Sequence, residues 1–173
     1  MRGRRLLVAL AVAGLTCAPA AIGTSTRLPA KITLEGVGGV RPGMTVAQTA
    51  ARWGIRLRLE SQLGSSCSLA AVRAGGMSGY AIFLERRFAA VFFRRGAQTA
   101  KGVGIGSTLD GLRAAYGERL SSRANKYTPG ARDYFVRRVR APRWELRFDV
   151  SPHGHITTIA FGNGAVRLLE GCA

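Results

Sequence analysis

Histidine and cysteine, the side chains that most often bind metal ions or act in catalysis, are few in this sequence. It has two histidines and three cysteines among 173 residues. His153 and His155 are separated only by Gly154, and a His-x-His pair on a strand can chelate a metal ion. Here the pair straddles a glycine in a predicted turn, and a zinc site needs a third or fourth ligand that the sequence does not suggest. We therefore predict solvated loop histidines, no metal site and no cofactor.

Patterns typical of enzymes are also missing from the sequence. Residues 76–80 lack the last glycine of a G-x-S-x-G nucleophile elbow. The glycine clusters at 36–39 and 102–106 match no phosphate-binding loop, and tight turns before a helix explain them. The nine acidic residues stand singly, although folding could bring two of them together. We predict that the protein is not an enzyme; a small secreted hydrolase whose site forms only on folding is the alternative.

Residues 1–20 have the pattern of an export signal. A basic start is followed by an apolar run over residues 6–15 and by an A-x-A cleavage site at residues 18–20. The apolar run is too short for a membrane-spanning helix, which takes about 20 residues, so no transmembrane segment is expected after cleavage. Cys17 is a candidate lipidation site, but the residues before it fit a lipobox poorly, and we favour a cleaved protein over a lipoprotein. The sequence therefore predicts a secreted or periplasmic protein.

Two cysteines, Cys67 and Cys172, remain after the predicted cleavage, and we predict that they form a disulfide. An even number of cysteines in an oxidising compartment is typical of a bridge. Cys172 is the penultimate residue, where a bond that anchors the chain end is more useful than a packing contact. Two unconnected buried thiols are the alternative.

The sequence is strongly basic, with 26 Lys and Arg against 9 Asp and Glu and a formal net charge of +17. Nearly all the cations are arginines, whose guanidinium groups bind carboxylate and phosphate bidentately. The candidate anion- or partner-binding residues are Arg86, Arg87, Arg94, Arg95, Arg138 and Arg140. Export argues against a nucleic acid, so we expect an anionic envelope polymer or an envelope or extracellular protein as partner. A compositional preference for arginine as the ordinary surface cation is the alternative.

The elements that must position these residues begin with a sequence repeat at an offset of 63 residues. Six pairs are identical: Gly39/Gly102, Val40/Val103, Gly43/Gly106, Thr45/Thr108, Ala51/Ala114 and Gly54/Gly117. Each copy predicts a glycine turn followed by a short amphipathic helix. In the first copy, Thr45 and Gln48 have the spacing of a capping box. In the second, Ser107 or Thr108 can cap the helix.

Strand patterns follow each predicted helix. The predicted strands cover residues 80–85, 88–93, 134–140, 144–150 and 156–161. The first two form a hairpin around residues 85–87. Residues 144–150 alternate apolar and charged side chains, which predicts a half-buried strand. The arginines in residues 134–140 predict a strand at an edge or on a wet face.

These patterns predict an α+β protein of two repeats, each a short helix packed on antiparallel β-hairpins. The predicted disulfide ties the two repeats together. We place the domain boundaries as follows: signal peptide 1–20, spacer 21–30, first repeat 31–98 and second repeat 99–173.

The turn over residues 40–45, the short helix and the closing Trp53-Gly54 resemble the BamE/SmpA-like envelope module. Doubled in one exported chain, the arrangement is also similar to the tandem-repeat β-lactamase inhibitory proteins and to exported bacterial proteins that end in Gly-Cys. The matched residues are Val40, Gly43, Met44, Thr45 and Gly54, and in the second copy Val103, Gly106, Thr108 and Gly117. The resemblance implies a small exported fold, a helical layer on an antiparallel sheet, and binding rather than catalysis.

The expected function is therefore that of an exported, non-catalytic binding module at the cell envelope or outside the cell. An inhibitor of a single protein partner is a further alternative. β-Lactamase inhibition itself is not expected, because the resemblance implies a concave sheet rich in exposed aromatic residues. Aromatic residues here make up 8% of the chain, and most stand at positions typical of a core.

Overall fold

Both predicted helices form where their cap residues place them. α1 (Val46–Trp53) begins at Thr45, whose hydroxyl accepts the Gln48 N–H at 3.2 Å, and the Gln48 side chain accepts the Thr45 N–H at 2.9 Å. The predicted capping box is therefore confirmed. α2 (Leu109–Tyr116) has Thr108 as its N-cap. The residues that follow the two helices are Gly54 and Gly117.

The structure is a computed structural model that describes residues 31–61, 66–140, 144–168 and 172. The predicted signal peptide, the spacer and Cys17 lie outside these residues. Within the described part of the chain, no helix is long and apolar enough to cross a membrane.

One antiparallel sheet contains all the strands that follow the helices. Its strands are β1 (Glu60–Ser61), β2 (Cys67–Ala74), β3 (Met77–Leu84), β4 (Arg87–Arg95), β5 (Leu120–Ala124), β6 (Arg132–Arg137), β7 (Glu145–Val150) and β8 (Ile156–Gly162). Their order is β1-β2-β3-β4-β8-β7-β6-β5, so β4 and β8 meet at the centre. Each half of the chain supplies one helix and then four strands. From either edge of the sheet to its centre, the four strands of each half follow one another in chain order. The α+β prediction and the antiparallel hairpins are confirmed.

Each helix packs an aromatic side chain against one face of the sheet, which we term the helix face. Trp53 of α1 meets Phe88 edge-on at 5.5 Å between ring centroids, and its Nε1–H donates to the Val37 carbonyl at 2.8 Å. Tyr116 of α2 lies 5.5 Å from Phe148 between ring centroids, with the two rings tilted at 49°. These contacts belong to the main hydrophobic core, which spans strands from both halves of the chain.

The opposite face, which we term the strap face, is covered by the C-terminal segment, residues 164–168 and Cys172. A 3-10 helix, Gly164–Arg167, lies over β4, β7 and β8. It closes a smaller apolar cluster whose largest members are Ile82, Phe92 and Val166. Cys172 is bonded to Cys67 at the start of β2, so the predicted disulfide is confirmed, and it anchors the segment to the sheet.

The strand predicted over residues 134–140 is wrong in its bounds and its position. β6 spans Arg132–Arg137 and lies between β5 and β7, inside the sheet rather than at its edge. The reason is the distribution of its side chains. Asp133, Tyr134, Phe135 and Val136 are buried, whereas the arginines stand at the two ends of the strand or beyond it.

The half-buried prediction for residues 144–150 is also wrong. Glu145 and Arg147 of β7 are only 7% and 3% exposed, because the C-terminal segment covers the face that alternation assigns to water. β2 and β5 are strands that the sequence patterns do not predict. β2 is built mainly from small residues, and β5 contains Ser121, Ser122 and Arg123, so neither has a β-branched or aromatic run.

Candidate functional site

The six candidate arginines fall at opposite ends of the sheet. Arg87 and Arg94 lie near the two ends of β4, about 23 Å apart at ~3.3 Å per residue. The last residue of β6 is in register with Glu145, Glu145 with Gly162, and Gly162 with Ala90 near the start of β4. Residues that follow β6 therefore lie at the same end as the β3–β4 turn. This turn end carries Arg86, Arg87, Arg138 and Arg140, whereas Arg94 and Arg95 lie at the other end.

The β3–β4 turn holds its side chains out from the sheet. Glu85 and Arg86 both have positive φ, 49° and 59°, as a two-residue hairpin turn requires, so the predicted hairpin is confirmed. Arg87 donates from Nη1 to the Gly43 carbonyl at 3.0 Å. Arg86 forms no ion pair with the described residues. A cavity of about 230 Å³, the turn cavity, is lined by the turn and by Thr45 and Val46 at the start of α1.

Arg138 and Arg140, after β6, differ in how far they are already engaged. Arg138 pairs with Glu35 at 2.9 Å and lies 5.1 Å from the ring centroid of Trp144. Arg140 is exposed and has no ion pair within the described part of the chain, and the side chain of Val139 before it is 89% exposed. The arginines at the turn end with the least internal engagement are therefore Arg86, Arg87 and Arg140.

The strap face brings acidic residues together in a way that the sequence did not reveal. Asp133 of β6 and Asp149 of β7 are register partners across the two strands. Asp133 is fully buried; it accepts from Arg123 Nε at 3.2 Å and from Asn125 Nδ2 at 2.8 Å, and it lies 3.4 Å from Arg147 Nη2. Arg147 Nε also donates to Asp149 Oδ1 at 2.6 Å. One buried guanidinium thus joins two carboxylates.

A second ion cluster fixes the C-terminal segment to the same face. Glu145 accepts from Arg137 Nε at 2.6 Å and from Arg167 Nε and Nη2 at 2.8 and 3.1 Å. The Arg167 guanidinium also stacks 4.4 Å from the ring centroid of Phe135. Three of the nine acidic residues are therefore paired with arginines inside this face.

A small cavity on the strap face, which we term the polar cavity, lies beside the Arg147 pairs. Its volume is about 80 Å³, and its lining includes Tyr80, Phe92, Arg94, Arg147, Asp149 and Thr158. The Tyr80 and Phe92 rings stack at 5.0 Å, and the Arg94 guanidinium stands 5.7 Å from the Tyr80 centroid. Burial raises the pKa of Tyr80, and the charges of Arg94 and Arg147 oppose the rise. The cavity is thus an arginine-rich recess with two hydroxyl groups.

Burial also raises the pKa of Asp149, against the opposing influence of Arg147. The nearby Asp133 carboxylate acts in the same direction as burial, and a hydrogen bond with Thr158 acts against it. Ionisation of Asp149 is therefore less favourable in the folded protein than it is for an ordinary aspartate in water.

Asp149→Asn is expected to gain stability relative to the wild type as the pH rises. Because the pKa of Asp149 in the folded protein is raised above the ordinary aspartate value of 3.8, the wild type is favoured below that pH and loses this contribution as the pH rises through the folded pKa. Each pKa unit of difference corresponds to about 1.4 kcal/mol. Urea unfolding at about pH 3.5 and about pH 7 measures the change. Asp110→Asn, at an exposed acid on α2, is the control, and a pH-independent difference for Asp149→Asn contradicts the assignment.

The two histidines lie in the turn between β7 and β8. His153 and His155 are exposed, and His155 Nδ1 lies 3.2 Å from the Gly106 carbonyl oxygen. Neither the turn cavity nor the polar cavity has a histidine in its lining. Over residues 31–61, 66–140, 144–168 and 172, no group of three or more His, Cys, Asp or Glu side chains is placed to hold a metal ion.

The chain has a distant similarity to a known structure. No protein-family model matches the chain, and no curated protein matches it. Among solved structures, the chain is similar to a cysteine-rich secretory protein of Staphylococcus aureus, with 6% sequence identity and a TM-score of 0.49. The alignment covers 81% of this chain and 48% of the other, so the chain spans about half the length of that protein.

Proposed function

We propose that this protein is an exported, non-catalytic binding module that acts at the cell envelope, where the arginines of the turn end hold an anionic component. The observation that carries the proposal is the placement of Arg86, Arg87 and Arg140. They are exposed at one end of the sheet, and none of them forms an ion pair with the described residues. Glu85 is the acid beside them in the turn, so the local balance is positive.

The backbone of Arg86 supports a role for its side chain. A positive φ favours glycine or asparagine, and the left-handed conformation costs roughly 1–2 kcal/mol for other residues. The chain nevertheless has arginine at this position, directly before Arg87. A surface that needed only a turn would be more stable with Asn-Gly at these two positions.

Export and the repeat are parts of the same proposal. The signal-like residues 1–20 and the Cys67–Cys172 bond support export, because stable disulfides form and persist in oxidising compartments. The strand order, which is the same from either edge, and the 63-residue offset between the helix turns support two repeats. The halves would then join through β4 and β8 into one sheet.

Arg86→Gln/Arg87→Gln is expected to bind isolated native cell envelope about 30-fold more weakly than the wild type. Each arginine near an anionic surface contributes ~1 kcal/mol, so the loss of two corresponds to ~2 kcal/mol. Co-sedimentation of the oxidised protein with envelope, across a salt series, measures the affinity. Wild-type binding is expected to weaken steeply between low and moderate salt, because exposed charges are screened.

Arg94→Gln/Arg95→Gln is the matched control, with the same change in charge on the same strand at the opposite end of the sheet. It is expected to retain nearly all of the wild-type binding. An equal loss in both variants would mean that total charge alone is responsible and would contradict a turn-end site. Retention at high salt by a single crosslinked protein would instead favour a dedicated protein partner.

A further inference from the structure

The polar cavity on the strap face belongs to neither the turn end nor the hydrophobic core. It lies between strands of both halves of the chain, because Tyr80 and Arg94 come from β3 and β4, and Asp149 and Thr158 come from β7 and β8. Its volume of about 80 Å³ is enough for a few non-hydrogen atoms. Any ligand would therefore be small, or would insert only one end.

One of the two arginines that line the cavity has no acidic partner in the described part of the chain. Each nitrogen of Arg147 lies against a protein oxygen: Nε against Asp149, Nη2 against Asp133, and Nη1 against the Val166 carbonyl at 3.0 Å. Arg94 lies over the Tyr80 ring and has no ion pair in the described part of the chain. Two guanidinium groups and one carboxylate in the lining give a net charge of +1.

The Tyr80 hydroxyl completes an anion-binding set. Tyr80 has an O–H donor in the lining, whereas the Thr158 hydroxyl donates to Asp149. Arg94 has a planar fork of N–H groups whose geometry matches a carboxylate. The stacked rings of Tyr80 and Phe92 fix the side of the cavity on which Arg94 stands. Arg147 is 3% exposed and held by its partners, so this side of the cavity is preorganised and Arg94 carries the uncompensated charge.

We propose that the polar cavity binds a single carboxylate group, with Arg94 as its ion-pair partner and the Tyr80 hydroxyl as a hydrogen-bond donor. Asp149 selects a monoanion, because its own carboxylate repels the second charge of a phosphate dianion. The same chemistry is available from a small free organic acid and from the carboxyl end of a longer chain. Leu168, at the rim, is 42% exposed, so the mouth is open to either source.

The test is a titration of the oxidised full chain, followed by the NMR shifts of backbone amides in β3, β4 and β7. The probes are sodium acetate, sodium lactate, a short peptide with a free C-terminus and the same peptide amidated, all at constant ionic strength. We expect saturable shifts at a Kd on the order of 1 mM for at least one free carboxylate and none for the amide. Tighter binding of acetate or lactate identifies a small acid, and tighter binding of the peptide identifies a chain end.

Arg94→Gln is expected to weaken this binding by at least about tenfold, the loss expected for one charge-assisted hydrogen-bonded pair. Arg95→Gln, the exposed chain neighbour outside the lining, is expected to bind like the wild type. Tyr80→Phe keeps the ring stack and removes only the hydroxyl, so it is expected to weaken binding several-fold without loss of folding.

Three results would overturn the proposal: no saturable shift with any carboxylate, an equal loss for Arg94→Gln and Arg95→Gln, or tighter binding of inorganic phosphate than of every carboxylate. The outcome is independent of the envelope proposal, because the Arg86→Gln/Arg87→Gln variant leaves this cavity intact. That variant is expected to bind the carboxylate with wild-type affinity.

Discussion

Asp133→Ala is expected to lower the free energy of unfolding by about 3–5 kcal/mol, because it removes a buried carboxylate that is shared by the Arg123 and Arg147 guanidinium groups. Asp133 is 0% exposed and Arg147 is 3% exposed, so water cannot replace the lost carboxylate. Asn125 and Arg123 also lose the acceptor to which they donate. Equilibrium denaturation in urea at neutral pH measures the change.

Asp110→Ala is the matched control for this prediction. Asp110 pairs with Arg113 at 3.4 Å on α2, but its side chain is 91% exposed, and an exposed pair contributes about 0–1 kcal/mol. In addition, Asp133→Ala combined with Arg147→Met is expected to lose less than the sum of the two single variants, because each single variant loses the Asp133–Arg147 interaction and the double variant loses it only once. A loss below about 1 kcal/mol for Asp133→Ala would contradict a buried ion network that supports the fold.

Local sequence signals predicted the elements whose structure depends on a few adjacent residues. The Thr45 and Gln48 side chains close the capping box within one helical turn, so their spacing was sufficient to place α1. The hairpin around Glu85 and Arg86 is similarly local. The disulfide could be paired because only two cysteines remained once residues 1–20 were assigned to a signal peptide.

Features that depend on packing across the sheet were beyond local patterns. The alternation in β7 correctly separates its apolar and charged sides, but alternation alone does not say whether another segment covers the charged side. Here the 3-10 helix Gly164–Arg167 covers it, and the Arg147 and Glu145 side chains find partners there. A strand with glutamate, arginine and aspartate on one face was itself a signal, since such a set can satisfy its own charges when buried.

The candidate site was predicted in composition but not in geometry. The sequence indicated arginines near hairpins, yet their grouping depends on strand order and register. Because β4 runs from one end of the sheet to the other, Arg87 and Arg94 lie at opposite ends although they belong to one strand. Because β6, β7, β8 and β4 are in register, Arg140 is brought to the same end as Arg86 although the two are 54 positions apart in the chain. The Asp133–Asp149 pairing follows from the same register and could not be read from acids that stand singly.

Removing the Cys67–Cys172 bond in a Cys67→Ala/Cys172→Ala variant is expected to lower the free energy of unfolding by about 3–5 kcal/mol. The bond joins residues 105 positions apart, and closing a loop of about that length restricts the unfolded chain by an amount worth ~4.7 kcal/mol in the entropic account. It also holds the C-terminal segment over Ile82 and Phe92. Urea unfolding of the oxidised wild type, the reduced wild type and the variant measures the loss.

The reduced wild type and the variant are expected to agree, and reductant is expected to leave the variant unchanged, which separates the bond from other effects of the substitutions. Hydrogen exchange gives a second, local readout. Without the bond the chain end is no longer anchored, so amides of the 3-10 helix should exchange faster. Arg167 is still held by Glu145, so amides of β6 and β7 should keep most of their protection. If reduction changed neither stability nor exchange, the bond would hold only the chain end, and the ion clusters of the strap face would be sufficient to keep the segment in place.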